Sequence, residues 1–182
     1  MVERLLAAAR AVLVRDGYDA FSTNRVAEEA SVSPGSLYQY FPNKAALVET
    51  VIDRWSDEIS DRVAASLAER VDIAGPEMIR ATADAVLTAL ESDAPLLHIV
   101  WEELPAVQHR HRQRSLEQRV TELLTVYLAA SGAARPDSTA TAWVLVMAME
   151  NIAVRWVLDR PEVSRDQLLD ELVALAAGLG IG

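Results

Sequence analysis

Hydrophobic residues recur along this chain at the three- and four-residue spacing of amphipathic helices, from its beginning to its end. No segment alternates apolar and polar residues as strands do, and glycine and proline fall between the periodic segments. The pattern therefore predicts an all-α fold of about nine helices. The predicted helices span residues 2–16, 23–30, 33–40, 44–70, 77–92, 94–104, 108–131, 138–159 and 165–179.

Helix ends in the first quarter of the chain carry clear local signals. Gly17 is a natural residue to follow the C-terminus of the first helix, since glycine adopts a left-handed conformation at little cost. Thr23 is predicted to cap the second helix and Ser33 the third, where Pro34 occupies a first-turn position that has no N–H to satisfy. Asn43 is predicted to cap the fourth helix. These four residues thus predict where the first helix ends and where the next three begin.

The predicted helix over residues 44–70 carries a single file of apolar side chains, four residues apart. They are Leu47, Val51, Trp55, Ile59, Val63 and Leu67. At ~1.5 Å per residue, this helix is roughly 40 Å long. Its length and narrow stripe predict a rod that connects two bodies.

Helices 23–30 and 33–40, joined by about two residues, have the arrangement of a helix–turn–helix. Leu37 and Phe41 lie four apart in the second helix and are predicted to point inward. The opposite face is polar, aromatic and uncharged, with Pro34, Gly35, Tyr38 and Gln39. Such a face can hydrogen-bond to base edges and phosphates without repelling DNA. An ordinary helical subdomain with aromatic core residues is the alternative.

Charge is distributed unevenly along a chain whose formal net charge is −10 and whose pI is about 4.7. Residues 1–50 hold five Lys/Arg against six Asp/Glu, and residues 51–182 hold twelve against twenty-one. The negative net charge of the whole chain disfavours non-specific nucleic-acid binding, but the nearly neutral N-terminal part permits a local basic surface. Ser33 and Ser36, at a helix N-terminus, are placed to attract a phosphate.

Lys44 is the one lysine of the chain and stands at the N-terminal end of the predicted 44–70 helix. A cation there opposes the helix dipole, so its placement costs a little stability. A phosphate partner would explain why a cation occupies this position.

The stretch "FSTNRVAEEASVSPGSLYQYFPNKAALVETVI" over residues 21–52 resembles the DNA-binding domain of the TetR family of bacterial transcriptional regulators, and "RDGYDAFST" matches that family's usual lead-in. The close resemblance covers residues 18–52. The rest of the chain agrees only in length and helical character. The resemblance implies a helix–turn–helix DNA-binding domain over residues 1–45 and a ligand-binding and dimerisation domain over residues 46–182.

The resemblance also implies which residues contact DNA. Positions matching phosphate contacts are Thr23, Ser36, Tyr38 and Lys44. Positions matching base or sugar contacts are Asn24, Arg25, Pro34, Gly35, Gln39 and Tyr40. The chain departs from the family at Ser31, where the turn usually carries glycine, and a left-handed serine there costs roughly 1 kcal/mol more than glycine. We expect either a tolerated strain or a slightly different turn at Ser31, and no loss of function. Residues 1–4 do not form the basic N-terminal arm that some members have, and an arm ahead of residue 1 stays an open alternative.

The helices over 138–159 and 165–179 are predicted to form a two-fold dimer interface. The first is apolar nearly all round, so both of its sides need cover. The second has Leu168, Leu172, Leu175 and Leu179 on one face, with Ala174, Ala177 and Gly178 allowing close approach. The pair resembles the four-helix dimer interface of the family. A buried central helix in a monomer is the alternative.

Large aromatic residues and methionine in the C-terminal part predict an apolar pocket with a few polar anchors. The candidate ligand contacts are Trp55, His98, Trp101, Glu102, Tyr127, Trp143, Met147, Glu150 and Asn151. Glu150 and Asn151 interrupt an apolar helix. Each has an ordinary alternative, an ion pair for Glu150 and a satisfied interface group for Asn151.

Other chemistries find little support. The chain has no cysteine, which excludes disulfides, thiolate catalysis and cysteine–zinc sites. We find no catalytic set, phosphate-binding glycine loop or HExxH motif, and predict neither an enzyme nor a cofactor. His98 and Glu102 could chelate, but two ligands make no metal site. "HRHRQR" over 109–114 is predicted to be a solvated charged turn.

The sequence therefore predicts a cytoplasmic DNA-binding regulator, most simply a repressor that a small hydrophobic or amphipathic effector releases from a palindromic operator. No membrane association is expected, because the apolar stretch over 140–149 is about half the length that crosses a bilayer. The alternatives are a helix–turn–helix regulator without a small-molecule ligand and a protein-interaction module that has lost DNA binding.

Overall fold

The computed structural model describes residues 1–68, 75–104, 121–122, 125 and 138–179, and among these residues it contains helices and no strands. The helices are α1 (Val2–Ala20), α2 (Thr23–Glu29), α3 (Pro34–Tyr38), α4 (Lys44–Ala68), α5 (Pro76–Ser92), α6 (Ala94–His98), α7 (Ser138–Asp159) and α8 (Arg165–Gly178). The predicted all-α class is confirmed. The predicted helix over 108–131 and the segment 109–114 lie outside the described residues, apart from the isolated positions above.

The described residues group into two compact units. The first contains residues 1–58 and 93–104, and the second contains residues 59–68, 75–92, 121–122, 125 and 138–179. Helix α4 contributes its N-terminal part to the first unit and its C-terminal part to the second. The predicted domain division after residue 45 follows the sequence motif and stays a prediction.

The core of the first unit is built by α1 to α4 together with α6. Helix α1 contacts α2, α6 and the turn that follows α6, and α2 contacts α3. Leu5, Val12 and Leu13 of α1 are fully buried, as is Val26 of α2. The three- and four-residue spacing of these side chains makes one face of each helix apolar, and burying that face orients the helices.

Helix α1 is interrupted at Gly17, whose backbone is non-helical with φ 75° and ψ 171°. This confirms the predicted end of the regular helix, although one further short turn carries the helix on to Ala20. A positive φ is readily available only to glycine. The break exposes the backbone groups of Tyr18, which two side chains from elsewhere in the unit satisfy.

The buried face of α4 is wider than the predicted single file. Leu47, Val51 and Trp55 are buried as expected, but Val48 and Ile52 are buried too. These side chains form two adjacent rows, so the apolar face that the first part of α4 buries is wider than one file. The side chains of Val63 and Leu67 lie outside the described part of the chain.

The segment after α6 is not an ordinary α-helix. Residues Ile99–Glu103 form a π-helical turn, and Leu104 N donates to Ile99 O at 3.0 Å across five residues. Such turns hold one residue more than an α-helical turn and are frequent at functional sites. In this turn, side chains five residues apart, and not four, share a face of the helix.

In the second unit, α5 packs against α7 and α8. A buried cluster joins Ala142 and Leu145 of α7 to Ala176 of α8, with Ile79 of α5 packed on it. At its edge, Arg165 of α8 pairs with Asp84 and Glu91 of α5. Ser164 and Gln167 form a capping box that begins α8, with Gln167 N donating to Ser164 Oγ at 3.3 Å.

Helix α7 leaves much apolar surface open in a single chain. Trp143 is 57% exposed, Val144 46% and Ile152 36%. Among the described helices, α7 is the one long and apolar enough to cross a membrane by length and composition, so the apolar stretch is longer than the sequence pattern predicts. This is weak evidence for a span, since core helices of soluble proteins meet the same criterion.

Candidate nucleic-acid interface

The turn between α2 and α3 places the two helices of the predicted helix–turn–helix. Ser31 has φ 53°, a left-handed conformation, so of the two expectations at this position the tolerated strain is the one observed. Its N–H donates to Glu28 O at 3.0 Å, and Val32 N donates to Ala27 O at 2.9 Å. These two bonds satisfy the last carbonyls of α2, so the strained residue ends the helix as a glycine would.

The N-cap of α2 differs from its prediction by one residue. Ser22, not Thr23, caps the helix: its backbone is extended, and Arg25 N donates to Ser22 Oγ at 3.3 Å. Two adjacent hydroxyl residues, both good caps, left the choice open in the sequence. The result is that the Thr23 hydroxyl is available for another contact, and its Oγ1 lies 2.9 Å from Tyr38 Oη.

Helix α3 presents the predicted face. Leu37 and Phe41 are buried, whereas Tyr38 is 49% exposed. Tyr40 is also well exposed. The remaining outward residues Pro34, Gly35 and Gln39 are exposed as well. The chain thus displays an uncharged surface rich in hydrogen-bonding groups, held by a buried pair behind it.

The start of α3 has the predicted capping arrangement. Ser33 is the N-cap, and its Oγ accepts from Ser36 N at 3.1 Å and lies 2.9 Å from Ser36 Oγ. Pro34 follows at the first helical position. Asn43 likewise caps α4, since Ala46 N donates to Asn43 Oδ1 at 2.9 Å.

Lys44 has a partner within its own chain. Its Nζ donates to Tyr18 O at 2.6 Å and lies 4.0 Å from the centroid of the Tyr18 ring. An ammonium has three N–H groups, so this carbonyl uses one of them. The break in α1 is therefore an intramolecular reason for a cation at this position, and the phosphate contact stays a prediction.

Arg25 is tied to the end of α1. Its Nη1 donates to Asp16 Oδ2 at 2.8 Å, while its side chain remains 53% exposed. Asn24 beside it is exposed. The predicted DNA contacts on α2 and α3 are thus accessible and supported by neighbouring groups.

Sequence reasoning missed two acidic residues that support this surface. Glu103 Oε2 accepts from Tyr18 N at 2.7 Å, directly after the break at Gly17, and Asp16 binds Arg25. The glycine was a signal that backbone groups near residue 18 need partners. Nothing in the periodicity shows which distant side chain supplies them.

Four of the candidate ligand contacts lie in the first unit. Trp55 is 6% exposed, and its Nε1 has no hydrogen-bond partner among the described residues. Trp101 is half-buried, whereas His98 and Glu102 are exposed. Trp55 is therefore the candidate whose environment leaves a polar group unsatisfied.

His98 and Glu102 do not form the suggested pair. His98 Nε2 lies 3.9 Å from Glu103 Oε1 instead, because the π-helical turn brings residues five apart onto one face. No group of three potential metal ligands occurs in the described ranges.

The other candidates lie on α7 in the second unit, except Tyr127, which is outside the described residues. Met147 and Glu150 are half-buried, and Trp143 and Asn151 are exposed. A single chain therefore does not enclose Trp143 or Asn151. All nine positions stay predictions.

Two family models match the chain in succession. The model described as "Bacterial regulatory proteins, tetR family" matches residues 5–51, and the one described as "Tetracyclin repressor-like, C-terminal domain" matches residues 76–179. Together they cover both the candidate interface and most of the second unit.

Among curated proteins, the chain is similar to the DNA-binding transcriptional repressor TetR of Mycobacteroides abscessus. They are 39% identical over 90 residues, which is 49% of this chain and 47% of the relative. The chain thus spans less than half the length of the curated relatives it matches first.

Solved structures extend the likeness in fold to nearly the whole chain. The fatty acid degradation regulator FadR from Bacillus halodurans has a TM-score of 0.73 at 17% identity, covering 100% of this chain and 97% of its own. FadR from Bacillus subtilis, in complex with stearoyl-CoA, has a TM-score of 0.72 at 14% identity, covering 96% and 97%. The helix–turn–helix surface, the all-α fold and both family matches agree: the chain belongs to the TetR family of bacterial DNA-binding transcriptional regulators.

Proposed function

We propose that this protein is a ligand-responsive repressor that binds a palindromic operator as a homodimer. The observation that carries the proposal is the exposed, uncharged face of α3, backed by buried Leu37 and Phe41. In a dimer, two such helices would enter successive major grooves about 34–36 Å apart.

Within each subunit, we assign the DNA contacts by chemistry. Thr23 and Tyr38, whose hydroxyl groups lie 2.9 Å apart, would bind phosphate with Ser33, Ser36 and Lys44. Residues that would contact bases or sugars are Asn24, Arg25, Pro34, Gly35, Gln39 and Tyr40. Phosphate contacts fix position on the duplex, and base contacts specify sequence.

The homodimer would form through residues 138–179. In support, Trp143, Val144 and Ile152 of α7 are exposed apolar residues, and so is Leu175 of α8. Large apolar side chains left exposed on a protein surface are typical of interaction sites. The small residues Ala174, Ala177 and Gly178 are exposed beside Leu175 and would let a second copy approach closely.

The effector would be a small, largely hydrophobic molecule, and each of the nine candidate ligand contacts is a separate proposal. Trp55 supports this, since its buried Nε1 could donate to an acceptor on the ligand. The stearoyl-CoA in the Bacillus subtilis structure supports the chemical class. Binding would bias α4, which carries Lys44 at its first residue, and weaken the operator complex by ~1–3 kcal/mol of coupling.

The decisive experiment starts from duplexes that the wild-type protein enriches from a random pool. Gel shifts at several salt concentrations then compare a selected duplex with an unrelated one. We expect Lys44→Ala to weaken both alike and to lower the salt slope by about one unit, because it removes one phosphate contact. Gln39→Ala should instead change the sequence preference.

Thermal unfolding of each variant serves as the control, since Lys44 also bonds to Tyr18 O. Measuring binding well below the unfolding temperature separates lost contacts from lost folding. Failure of the wild type to enrich any sequence would refute the proposed function. Identical effects of the two substitutions would refute the roles assigned to them.

A further inference from the structure

A network of charged side chains joins the end of α1 to α2 behind the candidate interface. Asp16 accepts from Arg15 Nε at 2.9 Å and from Arg25 Nη1 at 2.8 Å, and Arg15 Nη1 donates to Glu29 Oε2 at 2.7 Å. With Glu28, these residues line an open depression on the first unit. The proposed DNA contacts do not include Asp16.

The two ends of the Asp16–Arg25 pair differ in exposure. The Asp16 side chain is 14% exposed, whereas that of Arg25 is 53% exposed. The carboxylate is thus set back behind the guanidinium. A guanidinium has five N–H donors in a rigid planar fork, so binding Asp16 through Nη1 leaves the others for a further partner.

Resting on the proposed DNA-binding function, we propose that Asp16 is a positioning residue: it holds the Arg25 guanidinium in one orientation and thereby sets sequence preference. Arg25 alone would touch the DNA. Asp16 acts through Arg25, because its carboxylate is a fixed acceptor for the edge of the guanidinium that faces the protein.

The physical basis is the cost of ordering a long side chain. An arginine that samples many rotamers must lose that freedom when it binds a base edge, whereas one already held loses less. The charged hydrogen bond that Arg25 donates to Asp16 is available over the usual pH range, because hydrogen bonds from Arg15 and Arg25 lower the pKa of the Asp16 carboxyl. Both arginines therefore keep an ionised partner.

The network also has an ordinary alternative, namely that it only clamps α1 to α2. Glu29 offers a matched test, since it binds the same network through Arg15 and, among the described residues, forms no hydrogen bond or ion pair with Arg25. Removing Glu29 loosens the clamp and leaves the Asp16–Arg25 bond in place. The two interpretations therefore predict different effects on DNA.

The experiment measures discrimination, the ratio of Kd values for an unrelated and a wild-type-selected duplex at fixed salt. We expect Asp16→Asn to lower this ratio about three- to tenfold, through the ordering cost of one side chain. We expect Glu29→Gln to leave the ratio unchanged. Arg25→Lys, which keeps the charge and loses the fork, should also lower it.

The double variant Asp16→Asn/Arg25→Ala completes the cycle. If Asp16 acts through Arg25, Asp16→Asn has no further effect on discrimination in the Arg25→Ala background. The proposal is overturned if Asp16→Asn preserves the ratio, or if its effect persists without Arg25. Should Asp16→Asn not fold, unchanged discrimination in Arg25→Lys overturns it. A wild-type protein that selects no sequence refutes the proposed function instead.

Discussion

Ser31 holds a backbone conformation that glycine adopts far more readily, with φ 53° in the turn before α3. A left-handed conformation costs an L-residue about 1–2 kcal/mol, and glycine loses part of that advantage through its greater freedom in the unfolded chain. We predict that Ser31→Gly raises the free energy of unfolding by up to about 1 kcal/mol. Urea denaturation measures the change.

The control for that prediction is Ala11→Gly on the exposed side of α1. There the backbone is helical, so glycine should destabilise by about 0.5–1 kcal/mol. A loss of stability in Ser31→Gly comparable to that in Ala11→Gly would show that the turn is unstrained.

Trp55 carries the buried indole N–H that has no partner in the described part of the chain. We predict that Trp55→Phe reduces the thermal stabilisation caused by effectors with a hydrogen-bond acceptor, tested on a panel of fatty acids, their CoA thioesters and hydrophobic cations. An unsatisfied buried donor gains about 1–3 kcal/mol when it finds an acceptor, and phenylalanine cannot.

Trp156→Phe is the matched control, because Trp156 Nε1 already donates to Val163 O at 2.9 Å. It should change basal stability without changing the response to effectors. Equal responses from wild type and Trp55→Phe across every stabilising compound would count against a ligand contact at Trp55.

The burial, conformation and contacts of a single residue could be predicted only where the sequence signal came from neighbouring residues. Leu37 and Phe41 were predicted to be buried from helical spacing, and a strained left-handed residue was one of two expectations for Ser31. The cap of α2 was wrong by one residue, because Ser22 and Thr23 suit that position equally. The bonds of Lys44 and Arg25 were not predictable, since their partners lie on another helix.

At the scale of elements, the π-helical turn after α6 is tied to the break in α1. Glu103 at its end accepts from Tyr18 N at 2.7 Å, and Lys44 donates to Tyr18 O. A Cβ added at Gly17 would lie 3.0 Å from Glu103 Oε2, so the approach is close. Asp93, before α6, binds Arg10 of α1. The segment over 93–104 is therefore attached to α1 at both ends.

We predict that Glu103→Ala lowers the free energy of unfolding by about 1 kcal/mol, because the Tyr18 N–H loses its acceptor at a partly exposed site. Amide hydrogen exchange should become faster at Tyr18. Glu103→Gln keeps an acceptor oxygen without the charge and should lose less. Unchanged exchange at Tyr18 in Glu103→Ala would contradict this assignment.

The positions of the helices followed from the hydrophobic periodicity and from the glycine and proline residues between the periodic segments. The described helices begin and end close to their predicted residues. The π-helical turn did not, because a local change from four to five residues per hydrogen bond leaves no clear mark in an apolar pattern. The second buried row on α4 was missed for a related reason: spacing reveals a face but not how many neighbours cover it.

At the scale of the whole molecule, the most informative feature is the exposed apolar surface of α7 and α8, which a second subunit would cover. Of the leucines predicted to share one face of α8, Leu168 and Leu172 are buried within the chain, whereas Leu175 is 37% exposed. Which faces meet within a chain and which meet between chains depends on tertiary packing, and periodicity alone could not decide it.

We predict that Leu175→Glu converts the protein from dimer to monomer at micromolar concentration, because a carboxylate would be buried without a partner at the interface. Sedimentation velocity measures the change. Val14→Glu is the control: Val14 is an exposed apolar residue of α1, and its substitution should leave the dimer intact. A wild-type protein that sediments as a monomer would refute the dimer.

The extra residue in the π-helical turn makes the chain tolerant of a change in its own length there. The turn closes over five residues where an α-helical turn closes over four, so both bring the chain back to nearly the same side of the helix. Deleting one residue between Ile99 and Glu103 would let an α-helical turn form and would leave Glu103 on the side that faces Tyr18. For this segment, a single-residue deletion within the turn should therefore be less damaging than replacing Glu103, because the carboxylate keeps its direction toward the break in α1.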